Sequence, residues 1–97
     1  MANFEWDAEK AKANLAKHGV SFDEAKSAVY DPLSLALYDP DHSSDEDRWI
    51  LIGFSEQGRI LAICLTLRRS RIRIITARKA TRHEIKIYEE SNTPRRG

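Results

Sequence analysis

Apolar residues recur at helical spacing in the first third of the chain and at every second position from residue 33 onward. Asn3–Trp6 alternates Phe4 with Glu5 and predicts a short strand. Asp7 can cap a helix running to about His18, with Ala8, Ala11 and Leu15 on one face and Gly19 as its C-terminal stop. Ser21-Phe22-Asp23-Glu24 reads as a capping box: Ser21 accepts from the Glu24 amide and the Glu24 carboxylate returns to the Ser21 amide. The helix it opens sets Phe22, Ala25 and Val29 on one face and ends near Asp31-Pro32, because proline disfavours a helical residue before it. The period then changes to two. Leu33, Leu35 and Leu37 share a face, and "DPDHSSDED" is a plain loop. Arg48–Phe54, Arg59–Leu67 and Arg71–Ala77 read as strands joined by "SEQG" and "RRS". In the middle one, Leu61, Ile63, Leu65 and Leu67 face one way and Ala62, Cys64 and Thr66 the other. Thr81 and Glu84 form another capping box, opening a last helix to about Glu90.

The order β-α-α-β-β-β-β-α implies an α+β fold: a small antiparallel sheet of about four to five strands, two N-terminal helices and one C-terminal helix. The 97 residues suit a single domain over 1–97, with 91–97 as a frayed tail. No run approaches the roughly 20 apolar residues of a membrane span, and "MANFEWDAEKAK" is too charged for a signal peptide. The lone Cys64 excludes an internal disulfide, fits a reducing cytoplasm and reads as a small buried hydrophobe. The net charge of +1 hides a polarity. Residues 1–57 carry 5 Lys/Arg against 12 Asp/Glu, and residues 58–97 carry 11 against 3. A basic and an acidic face follow, partly neutralised by internal pairing.

Phosphate-binding glycine loops, nucleophile elbows and dinucleotide fingerprints are all missing from the sequence, and no cofactor is implied. Asp39, Asp41, His42, Asp45, Glu46 and Asp47 lack the glycine and spacing of a calcium loop, and read as a solvated acidic loop rather than a metal site. Lys17 and His18 end the first helix, where cations complement the unpaired carbonyls; they are also candidates for proton transfer beside a phosphate. The densest signal is "RIRIITARKATRHE", Arg71–Glu84. Arg71 and Arg73 share one strand face, Arg78 and Lys79 sit at the junction, and Arg82 and Lys86 lie four apart on the last helix. Like charges at that spacing repel, and basic residues in a first helical turn oppose the helix dipole. A polyanion is the natural compensating partner. Glu84 and Tyr88, also four apart, add acid/base groups nearby.

"FEWDAEKAKANLAKHGVSFDEA", "DPLSLALYDPDH" and "IRIITARKATRHEIKIYEE" together resemble the BrnT toxins of bacterial type II toxin–antitoxin modules. The resemblance covers Phe4 to Glu90 and is most specific at Lys17–Phe22 and Ile74–Arg78. It implies a small cytoplasmic ribonuclease with a RelE-like fold that inhibits growth by cleaving mRNA without a metal. The implied partners are RNA and a BrnA-like ribbon-helix-helix antitoxin in a 2:2 complex, which carries the toxin to operator DNA. On this resemblance Arg73 and Arg78 stabilise phosphate, and Arg71, Lys79, Arg82 and Lys86 bind flanking RNA. Lys17, His18, Glu84 and Tyr88 are left as unranked proton-transfer candidates. One departure stands out: Leu65 and Leu67 occupy positions where members often carry His and Glu. A binding module with weakened catalysis, acting with its antitoxin in operator repression, is therefore the alternative.

Overall fold

The computed structural model describes residues 3–93. The elements are β1 (Asn3–Glu5), α1 (Ala8–His18), α2 (Phe22–Val29), β2 (Leu35–Tyr38), β3 (Trp49–Phe54), β4 (Ile60–Arg68), β5 (Arg71–Lys79) and α3 (Arg82–Ser91), with one 3-10 turn at Pro40–His42. The expected order and α+β class hold. One sheet runs β1-β5-β4-β3-β2. The four later strands form the antiparallel meander, and β1 returns to pair in parallel with β5, so the sheet is mixed. Of the expected tail, Ser91 closes α3 and residues 94–97 lie outside the described residues.

Helices α1 and α2 cover one face of the sheet and α3 covers part of the other. Val20, Phe22, Ala25 and Ala28 bury against Leu51, Leu61, Ile63, Leu65, Ile74 and Ala77, with Trp6 edge-on to Phe22. Ile52 points away from this core and is buried on the α3 side. Gly53 lets α2 approach β3 closely: a Cβ there would run into the Ala28 carbonyl oxygen. Asp7 caps α1, and Thr81 and Glu84 complete the expected box at α3.

Four local expectations change. In α1 the inward residue is Asn14, while Leu15 is 51% exposed. Alanine spacing had suggested a wholly apolar face; the sheet edge instead requires a hydrogen-bonding side chain. Asn14 donates to the Val20 and Ala77 carbonyls at 2.9 and 2.8 Å and accepts from the Ala77 amide at 3.1 Å. β1 ends its pairing at Arg73, so this amide serves as the strand partner that β5 lacks further along. At α2 only half of the capping box forms. Ser21 accepts from the Glu24 amide, but the Glu24 carboxylate, buried, binds Arg59 and takes the Ser55 hydroxyl at 2.7 Å. β2 begins at Leu35 because Asp31 turns the preceding segment, accepting from the Leu33 amide, and Leu33 is exposed. Cys64 is half-buried on the sheet face opposite the core, and burial raises its thiol pKa.

Candidate nucleic-acid interface

Irregular pairing in β5 sets the site. Cys64 pairs with Thr76 and Leu65 with Ile74, leaving Ile75 without a partner. An extra residue in one strand inverts the facing of everything beyond it. A regular strand would send odd-numbered Arg71 and Arg73 to one face and even-numbered Arg78 to the other. With the bulge, Arg71, Arg73, Thr76 and Arg78 align with Arg68, Thr66, Cys64 and Ala62 on the face away from α1 and α2. Three arginines of the Arg71–Glu84 stretch thus share one surface.

Along that face lies a cleft of about 260 Å³, floored by Ile50, Ala62 and Ile75. Its polar walls are Asp39, His42, Arg48, Cys64, Thr76 and Arg78. Arg78 is held from α3: Glu84 takes both guanidinium nitrogens, at 2.7 and 3.1 Å, while also accepting from the Thr81 amide at 2.8 Å. Hydrogen bonding to Arg78 lowers the Glu84 pKa, and the same pair raises that of Arg78. The capping box therefore also aims the arginine. Arg48 enters from the acidic loop. Ser43 accepts from its amide at 2.9 Å and donates to the Asp39 carbonyl at 2.5 Å, which fastens the loop to the start of β3. The Arg48 Nε is buried with no partner among the described residues, and its Nη2 lies 3.8 Å from Glu46.

A second cleft, of similar volume, adjoins the first across β5. It is lined by Lys10, Asn14, Lys17, His18, Ile75 and Thr76. Thr76 and Ile75 belong to both clefts, so Lys17 and His18 do approach the Arg78 side of the molecule. Arg73 pairs with Glu5 at 3.3 Å, and Arg71 lies near Arg68 and Arg69 at the sheet end.

Other predicted residues are placed apart. Lys79 pairs in register with Leu61 and faces the α1/α2 side. Arg82 and Lys86 are exposed on α3, with Lys86 4.0 Å from Glu90. The Tyr88 hydroxyl donates to Asp31 at 2.5 Å, and burial followed by that carboxylate pushes its pKa up to about 12. It ties α3 to the α2–β2 connection and does not line either cleft. The acids of the first half meet bases of the second in Glu5–Arg73, Glu24–Arg59 and Glu46–Arg68, so much of the charge polarity is internal pairing.

Sequence reasoning missed Arg48 and Thr76, and read Asp39 and His42 as solvated loop and Cys64 as a buried hydrophobe. Two signals were available: an Asp–His pair three apart across a proline, and the Ile74-Ile75 doublet that breaks the alternation of β5. Leu65 and Leu67, where the sequence departs from the BrnT pattern, lie on the opposite face from the cleft. Leu65 is core and Leu67 is 64% exposed.

Fold and cleft together define a small α+β protein with a row of cations suited to a polyanionic chain. The sequence model described as "Ribonuclease toxin, BrnT, of type II toxin-antitoxin system" matches residues 6–84, and the chain belongs to that family. Among solved structures, it is similar to the crystal structure of the Brucella abortus ribonuclease toxin, BrnT. The two are 25% identical with a TM-score of 0.61, over 84% of this chain and 100% of that one. A comparison with curated proteins finds no match.

Proposed function

We propose that this ribonuclease toxin is a metal-independent endoribonuclease that cleaves mRNA in the cytoplasm, and that a BrnA-like ribbon-helix-helix antitoxin neutralises it. The observation that carries this reading is the bulge-aligned row of Arg71, Arg73 and Arg78 on one sheet face, whose last member lines a cleft together with Arg48. Guanidinium groups hold phosphate through fixed paired donors, and cations positioned around the phosphorus stabilise the charge of an in-line displacement. Arg78, oriented by Glu84, stabilises the reacting phosphate with Arg48. Arg73 and Arg71 guide the strand toward the sheet end, and Lys17 and His18 extend the track across Thr76. Lys79, Arg82 and Lys86 contribute only long-range attraction. A non-catalytic module gains little support, because the departing leucines face away from the cleft.

The test is induction without antitoxin. Growth arrest with loss of full-length transcripts is expected, and Arg78→Ala should relieve both. Purified protein should cleave RNA in excess chelator. Harmless wild-type expression, or cleavage abolished by chelator, refutes the proposal.

A further inference from the structure

Among its polar walls, the cleft holds a pair of side chains arranged for proton transfer. Asp39 directly follows β2, and the 3-10 turn Pro40–His42 comes next. That turn brings the His42 imidazole back over Asp39, with Nδ1 2.8 Å from Oδ2. The burial of the two partners differs sharply: the Asp39 side chain is 11% exposed and that of His42 67%. The carboxylate is fixed by its backbone as well. The Asp39 amide donates to the Arg48 carbonyl at 2.9 Å, and its carbonyl accepts from Ser43. In a neutral imidazole, a carboxylate held beside Nδ1 selects the tautomer whose proton is on Nδ1 and whose lone pair is on Nε2. His18 has no such partner among the described residues.

We propose that His42 is the general base of the cleft and that Asp39 is its positioning residue. This rests on the ribonuclease reading above. His42 Nε2 takes the proton from a ribose 2′-hydroxyl as O2′ bonds to phosphorus. The P–O5′ bond breaks with its electron pair leaving on O5′, which takes a proton from water. The products are a 2′,3′-cyclic phosphate and a 5′-hydroxyl end. Arg48 and Arg78, on the same cleft, bear the added charge on the phosphoryl oxygens. RNA is required because the nucleophile is the 2′-hydroxyl; a deoxyribose strand would bind and survive.

The experiment uses purified toxin and a transcribed mRNA, with the same sequence in 2′-deoxy form as a binding probe. His42→Ala is expected to lower kcat roughly 100-fold or more, the range for a removed general base, while binding the deoxy probe as the wild type does. Free imidazole should restore part of the lost rate, since the exposed side chain leaves an open site. Asp39→Asn should lower kcat with KM unchanged. Cyclic phosphate ends should be found in the wild-type products. If His42→Ala perturbs the fold, His42→Gln supplies the same test with a similar side-chain length. A His42 variant within about threefold of wild-type kcat overturns the inference, as does a loss confined to KM or one that imidazole does not relieve. Wild-type protein that leaves RNA intact refutes the ribonuclease reading itself, and this inference with it.

Discussion

Asn14 offers the sharpest test of how the site is supported. Its side-chain amide satisfies three buried backbone groups: the Val20 carbonyl and both the amide and the carbonyl of Ala77. Asn14→Ala removes every one of these partners in a place where water is largely excluded, since Asn14 is buried. Each buried polar group left without a partner costs about 1–3 kcal/mol, and partial relaxation recovers some of it. A total loss of about 3–5 kcal/mol follows, a large part of the stability of a domain this size. The corresponding fall in melting temperature is at least ~12 °C. Urea denaturation followed by circular dichroism measures the first, and hydrogen exchange reads the second consequence: the Ala77 amide should lose protection. Asn14→Asp keeps an acceptor for the Ala77 amide but turns a charged oxygen toward two carbonyls, and should be at least as unstable. Because Ala77 precedes Arg78, RNA cleavage should fall with either variant even under conditions where it stays folded. A loss under ~1 kcal/mol, or an Ala77 amide still protected, would refute the view that this amide replaces a missing strand.

Three further outcomes follow from the packing and charges. Gly53→Ala should cost about 2 kcal/mol or more, read by the denaturation midpoint, because its Cβ meets backbone of α2 rather than a movable side chain. Glu24 has a pKa lowered chiefly by its hydrogen bonds to Arg59, so its stabilisation is complete above the ordinary glutamate value of 4.5 and drains away as pH falls through the lower folded value. Glu24→Gln should therefore destabilise by about 2–3 kcal/mol at neutral pH and by much less in acid, checked by urea melts across that range. Ser70→Gly should stabilise by about 0.5–1 kcal/mol in the same assay, since Ser70 and Arg69 turn the β4–β5 hairpin at positive φ.

The sequence made the element order legible because each boundary carried a local cause: Asp7, Ser21 and Thr81 at helix starts, Gly19 at a stop, and alternation in the strands. What it left obscure depended on distant partners. The Glu24 carboxylate prefers Arg59, thirty-five residues away, to its own helix start. Asn14 is drawn inward by an unpaired stretch of β5, which no local pattern announces. The arginines of β5 were visible as a cluster, but His42 belongs to a loop that reads as solvated acid and Arg48 reads as the start of a strand, until Ser43 ties the two together. Glu84 and Tyr88 share a helix face by spacing, yet one orients Arg78 and the other anchors α3 through Asp31.

The unpaired Ile75 works as a phase setting for everything that follows it in the strand. Were Ile75 taken into regular pairing instead of bulging, the composition, the net charge and every helix cap would stay intact. Thr76 and Arg78 would then turn toward the core and Ala77 toward solvent. Such a strand would be as basic as this one and would possess no groove. Being rich in arginine is common to both; whether the arginines act together is decided by which residue between them is left out of the pairing.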